Sequence, residues 1–358
     1  MVVGYALGNR NDQENDILVL NEDAPNVVTY SNALYLQLSK MCLPHCQSCL
    51  FQRKEVIVVP YSTIRIAKQA RVQGLREALY YANPRPDQYS QIRSMLELWG
   101  FDTYADYLYT VCELGFLEGL IPVIDLGFLT PQELKQLSEV AALVKISFEN
   151  SFDKTHEDMY GWPSNQRLER RMKNFEWASK LKIPIVANMV VYKGGEKSRY
   201  KEWLNYLASL HKSYDMIHEV SFEAFSGPVK TSGKKPKENA ELSAMLEMYE
   251  LAKSILPSDI TVILPFSPKD LPTLLKAGVR DLGRLLDTSL TGFMQEPLDL
   301  HALHSEIESL GFTAQQRFPL KKEFIKNEKY SKKLGQVFDT YRYKIKKDVQ
   351  ERQKEAKS

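Results

Sequence analysis

Cysteine is scarce in this chain, since only 4 of its 358 residues are Cys. Three of them, Cys42, Cys46 and Cys49, stand in one short run, and Cys112 lies far along the chain. A trio of cysteines beside one distant cysteine does not indicate a disulfide framework. So few cysteines fit a reducing compartment, and we therefore expect a cytoplasmic location.

Long apolar runs are also lacking. No stretch approaches the roughly 18 residues that a membrane-spanning helix needs, and the N-terminus lacks the basic and apolar regions of a secretion signal. We therefore expect no membrane partner. Hydrophobic residues make up 44% of the chain and charged residues 26%, as in ordinary globular proteins. The length allows one large α/β barrel or two domains, with a sizeable core in either case.

Net charge is small, at +2, but it is unevenly distributed. The segment from Lys321 to Ser358 has 13 Lys and Arg against 6 Asp and Glu. A basic tail can contact nucleic acid or an acidic partner. Here the basic residues alternate with acids and with tyrosines, which favours a solvated, partly helical extension, and we do not expect nucleic-acid binding.

The cysteine trio has the spacing C-x3-C-x2-C, directly after an apolar stretch. Three thiolates this close can hold three irons of a cubane iron–sulfur cluster and leave the fourth iron open. Electron-carrying clusters ordinarily use four cysteines. Two alternatives remain at this point: His45 could complete a zinc site with the thiolates, or the thiols could be unligated core residues. Cys112 lies in a helical pattern and is interpreted as a packing residue.

Short apolar segments alternate with amphipathic ones along most of the chain, which predicts βαβ units and a parallel sheet. The predicted strands are Ala33–Leu38, Leu75–Tyr81, Gly119–Asp125, Ala142–Phe148, Ile183–Tyr192 and Met216–Phe225. The predicted helices between them are Tyr61–Val72, Gln88–Leu114, Thr130–Val140, Ser164–Lys182 and Ser198–Lys212. Further units follow from 261 to 310. Six units in series predict a complete or partly open barrel.

In such a barrel the cysteine trio falls directly after the first strand. Parallel barrels carry their chemistry at the carboxyl ends of the strands. This position favours the open cluster over zinc. We predict an N-terminal extension over residues 1–24, a barrel over 25–265, a C-terminal α/β layer over 266–325 and a basic helical tail over 326–358.

The order of several motifs resembles the radical S-adenosylmethionine (SAM) subunit of FO synthase, where FO is 7,8-didemethyl-8-hydroxy-5-deazariboflavin. The cysteine motif with Phe51 carries this resemblance, and it continues to the C-terminal part of the chain. The further matching segments are Gly74–Glu77, Cys112–Phe116, Phe175–Pro184, Ile255–Val262 and Ala277–Gly283. Residues 25 to 325 are covered, so the resemblance rests on order and spacing over most of the chain.

The resemblance implies a partial TIM-like barrel that holds a [4Fe-4S] cluster on Cys42, Cys46 and Cys49. SAM would bind the open iron, and its reductive cleavage would give a 5′-deoxyadenosyl radical. The family's substrate is a tyrosine-derived adduct of a ribityl-diaminouracil, and ring closure with loss of ammonia gives FO. The implied partners are this small molecule, a sister radical SAM subunit and an external reductant of the ferredoxin or flavodoxin type.

Carried over position by position, the resemblance assigns cofactor-binding roles to a small set of residues. These are Phe51 beside the cluster, Glu149 after the fourth strand, Arg167 at the next helix, and Gly195 and Glu196 after the fifth strand. Arg170 and Arg171 are close enough to be confused with Arg167. For the substrate pocket we consider Tyr30, Asp125 and Asn188. No catalytic residue is assigned.

Several segments depart from the family's pattern at strand ends that would face the pocket. Ser48 replaces an aromatic residue, Asn83–Pro86 replaces Gly-Glu-Arg-Pro, and Val123–Asp125 replaces His-Thr-Asn. Three hypotheses therefore stay open. The chain is a radical enzyme of the FO synthase type, a radical enzyme of the same fold with another substrate, or a cluster-binding partner protein without catalysis.

Overall fold

The computed structural model describes residues 24–39, 57–82, 85–148, 168–191, 197–224, 238–291, 299–336 and 338–339. The strands are β1 (Val27–Ser39), β2 (Glu77–Ala82), β3 (Ile121–Asp125), β4 (Leu143–Phe148), β5 (Ile185–Val191), β6 (Ile217–Ala224), β7 (Thr261–Ile263), β8 (Asp281–Asp287) and β9 (Thr313–Gln316). The helices are α1 (Pro60–Val72), α2 (Ser90–Leu98), α3 (Tyr104–Leu117), α4 (Pro131–Leu137), α5 (Leu168–Lys180), α6 (Lys197–Tyr214), α7 (Glu238–Ile255), α8 (Leu271–Lys276), α9 (Leu300–Ser309) and α10 (Lys322–Lys326).

These strands form one parallel sheet in the order β7-β6-β5-β4-β3-β2-β1-β8, with β9 also paired to β1. β8 and β7 meet where Gly283 packs against Ile263. A Cβ atom at Gly283 would lie 2.5 Å from Cγ2 of Ile263. The sheet therefore curls into a nearly closed barrel. The predicted TIM-like α/β barrel is confirmed.

β8 and β9 lie in the part of the chain that the sequence assigns to a C-terminal layer. Both pair with β1, which is long enough to hold β8 on one side and β2 and β9 in succession on the other. The first strand begins at Val27, earlier than predicted, because its amino-terminal half pairs with these late strands. The predicted N-terminal extension lies outside the described residues except for Ala24, and most of the predicted tail does so too.

The predicted helix Gln88–Leu114 is wrong in one respect, because the structure has two helices there. α2 stops before Gly100, whose φ of +79° is costly for a residue with a side chain. α3 restarts with a capping box in which the Thr103 hydroxyl accepts from the Asp106 backbone N–H. The predicted start of α4 is confirmed, with Thr130 as N-cap and Pro131 at the first helical position.

The amino-terminal end of the barrel is closed by the segment that follows β9. Leu320, Phe324 and Phe338 pack beneath Val123 and Val186, whose side chains face into the barrel. A buried ionic network lies beside this plug. Among the described residues, the amino-terminal end of the interior is therefore filled by side chains. No helix in the described ranges is both long and apolar enough to cross a membrane.

Candidate active site

The segment that carries the cysteine trio is anchored at both ends to the carboxyl end of β1. The chain leaves the barrel after Ser39, and on its return Ile57 forms an antiparallel bridge with Ser39. The N–H of Val58 also donates to the carbonyl of Leu38 at 2.8 Å. Cys42, Cys46, Cys49 and Phe51 themselves lie outside the described residues. Their flanks fix the segment to the end of the barrel where parallel barrels carry chemistry.

The other residues assigned to the cofactor also follow strands at this end, and they too lie outside the described residues. Glu149 comes directly after Phe148, the last residue of β4. Gly195 and Glu196 stand between β5 and α6, and Arg167 directly precedes α5. Chain connectivity thus relates all four to the carboxyl-side connections of β4 and β5.

Arg171 can be separated from the arginines considered for the cofactor. Its side chain is buried, and its guanidinium donates to the backbone carbonyl of Ser147 on β4. This hydrogen bond engages the guanidinium with the sheet and connects α5 to β4. Arg171 has a structural role in this arrangement.

Cys112 does not supply a fourth ligand at this end of the barrel. It is fully buried between α3 and the outer face of the sheet, in the same cluster as Tyr80 and Tyr107. Burial raises the pKa of its thiol, which keeps it protonated, whereas cluster and zinc ligands are thiolates. The prediction that Cys112 is a packing residue is confirmed.

Inside the barrel, towards the carboxyl ends of the strands, Lys145 lies between two carboxylates. Its Nζ is 3.2 Å from Oδ2 of Asp125 on β3 and 2.8 Å from Oε1 of Glu223 on β6. Burial alone would lower the pKa of Lys145, but the charges of Glu223 and Asp125 outweigh burial and raise it. The ammonium group is therefore a fixed cation of the interior.

Asn188 joins this group from β5. Its Nδ2 donates to the Ser147 hydroxyl at 3.2 Å, and its Oδ1 accepts from the Ser221 hydroxyl at 2.8 Å. A further hydrogen bond to Asn188 helps Lys145 to lower the pKa of Glu223. Asp125 and Asn188, which the sequence assigns to one pocket, are thus brought into one polar cluster with Lys145 and Glu223.

Tyr30 is not brought together with these residues. Its hydroxyl is 2.8 Å from Nε2 of His304 on α9, and its ring packs in the outer cluster with Leu282 and Ile307. Adjacent residues of a strand point to opposite faces. The next residue, Ser31, points inward and donates to Glu77. Tyr30 is a contact between the sheet and α9.

Two tyrosines whose side chains face the barrel interior provide an apolar surface beside the polar cluster of Lys145. The rings of Tyr35 on β1 and Tyr81 on β2 stack with centroids 5.8 Å apart. Burial, with the nearby charge of Asp125, raises the pKa of the Tyr35 hydroxyl, so it stays protonated at neutral pH. Sequence reasoning missed these two rings, and it missed Lys145 and Glu223. The available signal was the presence of charged residues inside two apolar strands, one lysine in Leu143–Phe148 and two glutamates in Ile217–Ala224.

At the opposite end of the barrel, His211, Asp215 and Asp259 are grouped closely enough to suggest a metal site among the described residues. The geometry does not fit one. Nδ1 of His211 accepts from the Ile217 backbone N–H at 3.2 Å, so the neutral ring carries its proton on Nε2. That nitrogen points at Asp259, 3.0 Å away, as a donor. The group joins α6 to the loop before β7.

The buried ionic network at the amino end is likewise structural. Arg284 pairs with Glu77 and Glu219, and Arg317 lies 2.8 Å from Glu219 and 2.7 Å from Asp281. Burial alone would raise the pKa of Glu219, but the two guanidinium groups outweigh burial and lower it strongly. These pairs tie β2, β6 and β8 to the segment after β9, far from the cysteine-bearing connection.

Comparison with known proteins gives a consistent result, although no protein-family model matches the chain. The chain is 28% identical over 329 residues to the 7,8-didemethyl-8-hydroxy-5-deazariboflavin synthase of Methanococcoides burtonii, covering 88% of this chain and 96% of that protein. It is 30% identical over 263 residues to the enzyme of the same name from Methanoculleus marisnigri, covering 72% and 77%.

Among solved structures, the barrel is similar to the FeFe-hydrogenase maturase HydG from Carboxydothermus hydrogenoformans. The TM-score is 0.62 at 14% sequence identity, and the match covers 86% of this chain and 73% of that one. At this identity the likeness concerns the fold. It supports the nearly closed barrel.

Proposed function

The chain belongs to the family of 7,8-didemethyl-8-hydroxy-5-deazariboflavin synthases, and from this membership we propose that it is a radical SAM enzyme that makes FO or a closely related deazaflavin. The structural observation that carries the proposal is the anchoring of the cysteine segment. Residues 40–56 leave and rejoin the barrel at Ser39 and Ile57. The described flanks of the trio thus lie at the carboxyl end of a barrel whose amino end is plugged, which supports the proposed location of the cluster.

The residues present fit the implied cofactors by the chemistry of their donors. Cys42, Cys46 and Cys49 would hold a [4Fe-4S] cluster, and the buried thiol of Cys112 is not available as a fourth ligand. Phe51, Glu149, Arg167, Gly195 and Glu196 are proposed for SAM. Abstraction of a hydrogen atom by a radical derived from SAM is the chemistry that these groups supply when bound.

The described residues of the barrel supply binding and electrostatics. Lys145 fixes a positive charge between Asp125 and Glu223, and Asn188 holds the Glu223 side chain from β5. The plug beneath Val123 and Val186 closes the interior from below. A substrate that enters at the carboxyl end would therefore meet a polar, pre-organised wall and remain near the cysteine segment.

A second candidate is the same radical chemistry on a different substrate. It is supported by Asp125, which ends a segment that departs from the family's pattern and which is engaged by Lys145. A substrate for this pocket must form polar contacts with a group of two carboxylates and one ammonium.

We also propose that the protein acts in the cytoplasm, as the scarcity of cysteine suggests. An external reductant and a sister subunit are its proposed partners, as the family membership suggests.

The first test compares two cysteine variants after anaerobic reconstitution with iron and sulfide. We expect the wild type and Cys112→Ala to show cluster absorbance and to release 5′-deoxyadenosine from SAM on reduction. Cys46→Ala should show neither, because two thiolates remain for the cluster. A cluster without 5′-deoxyadenosine in the wild type would support a non-catalytic partner protein, and retention of both signals by Cys46→Ala would contradict the proposed ligands.

A further inference from the structure

Gln37 on β1 is a buried residue whose side-chain amide has no hydrogen-bond partner in the described part of the chain. The residue is 8% exposed, and both its Oε1 and its Nε2 are buried and unpaired. It lies six residues after Ser31 and two after Tyr35, both of which point into the barrel, so its side chain faces the interior. Buried amides are normally paired, and an exception calls for an explanation.

The position of Gln37 places it among the polar residues of the candidate active site. In the sheet register Gln37 is beside Tyr81, and Tyr81 is beside Asp125. The amide is thus two residues from Tyr35 on the same strand and beside Tyr81 on the next strand. Asp125, which pairs with Lys145, lies two strands away. It is also two residues before Ser39, where the cysteine-bearing segment leaves the barrel.

The chemistry of a primary amide restricts what it can bind. Its carbonyl accepts and its NH₂ donates in one plane, side by side. The complementary ligand is a planar edge on which an N–H stands next to a carbonyl, as in a cyclic amide or imide. The stacked rings of Tyr35 and Tyr81 offer a flat wall for such a ring system.

We propose that Gln37 binds the substrate and recognises a planar edge of adjacent N–H and carbonyl groups on a ring that enters from the carboxyl end of the barrel. The proposal rests on the proposed function and deepens it, because it states which group of the chain selects the substrate. Lys145, Asp125 and Glu223 then form the charged wall beside the recognised ring.

The test uses ribityl-diaminouracil and its derivative methylated at the ring N–H between the two carbonyls, titrated calorimetrically into the reconstituted protein. The wild type should prefer the unmethylated compound by about 10- to 100-fold, since methylation removes the donor and leaves a buried acceptor unpaired. Gln37→Met keeps the size of the side chain and should bind both compounds with similar affinity. Gln73→Met, the same change at an exposed helix end, should retain the preference.

Thermal unfolding of the ligand-free variants separates binding from a structural role. Gln37→Met should unfold no lower than the wild type, because it removes an unpaired buried amide. A lowered midpoint, or an unchanged preference in Gln37→Met, would overturn the proposal. Binding of neither compound by a wild type that still cleaves SAM would overturn it and leave the radical chemistry standing. Loss of SAM cleavage with the preference intact would instead contradict the proposed function alone.

Discussion

Lys145 shows how single residues set the character of the barrel interior. An ammonium group inside a sheet is costly unless it is paired, and here carboxylates from β3 and β6 approach it from two sides. Asp125 is mostly buried, whereas the Glu223 side chain is half-exposed at the open end. The cation therefore joins three strands at the level where a substrate would enter.

We expect Lys145→Met to lower the free energy of unfolding by about 1–3 kcal/mol at pH 7, since it leaves two carboxylates without their charged partner. Lys145 depresses the pKa of Glu223, whose ordinary value is 4.5. The stabilisation from this pair is therefore present above about pH 4.5 and is lost as the pH falls through the lower, folded-state pKa. Urea titrations from pH 7 to pH 3 should show the difference between variant and wild type shrinking.

Lys135→Met, at an exposed position of α4, serves as the control and should change the unfolding free energy by less than about 0.5 kcal/mol. An effect of Lys145→Met that stays constant down to pH 3 would show that lost packing, not charge, explains it.

The positions of the strands and helices depend on local backbone geometry as much as on the pattern of apolar residues. β7 and β8, the two ends of the sheet order, approach each other where Gly283 has a φ of +73° and lies against Ile263. A side chain at this position would meet both a strained backbone and an occupied space. Glycine is therefore the residue that best fits this approach of β7 to β8.

Gly283→Ala should destabilise the protein more than Gly278→Ala does. Both glycines have positive φ, which costs about 1–2 kcal/mol for a residue with a side chain. Only at Gly283 does the new Cβ clash, 2.5 Å from Ile263, whereas nothing lies within 4 Å of a Cβ at Gly278. We expect an additional loss of about 1–3 kcal/mol from overpacking, measured by chemical denaturation. Equal losses at the two positions would contradict the close approach of β7 and β8.

Strand and helix identities were largely predictable, because apolar strands and amphipathic helices alternate over most of the chain. The break between α2 and α3 was not, since Gly100 and Thr103 act through backbone conformation and capping within a continuous amphipathic pattern. β9 has four residues, mostly polar, and lacks the apolar pattern that predicts a strand. It forms because the amino-terminal half of β1 is available to pair with it.

The candidate site was predictable in part. Asp125 ends its apolar strand and Asn188 is a polar residue within another, which are signals visible in the sequence. Gln37, Lys145 and Glu223 lie on three different strands, and their relative positions depend on the strand register. Tyr30 differs because the start of β1, and with it the direction of each side chain, follows from pairing with the distant β8 and β9.

At the scale of the whole molecule, the two ends of the barrel have separate roles. The amino end is held by apolar packing beneath Val123 and by buried ion pairs centred on Glu219. The carboxyl end carries the polar cluster and the two residues, Ser39 and Ile57, between which the cysteine-bearing segment runs. Stability and chemistry are thereby divided between opposite ends of one sheet, as in other parallel barrels.

Glu219→Gln tests this division. It removes the carboxylate that Arg284 and Arg317 share and leaves each guanidinium with a single anionic partner, Glu77 or Asp281. Because the lost pairs are buried, we expect a loss of about 3–5 kcal/mol in the free energy of unfolding. Glu247→Gln breaks an exposed pair with Lys197 and should cost no more than about 1 kcal/mol. The two variants are compared by urea denaturation at pH 7. Similar losses in both would contradict a stabilising role for the buried ionic network at the amino end.

Radical chemistry at the carboxyl end of this barrel is tested most directly by product analysis. The reconstituted protein is incubated anaerobically with SAM, a reductant and the deuterated adduct of tyrosine and ribityl-diaminouracil. We predict FO by mass and fluorescence, with deuterium transferred to 5′-deoxyadenosine. A protein with an intact cluster that yields neither FO, nor any other product from the adduct, nor labelled 5′-deoxyadenosine would contradict the claim.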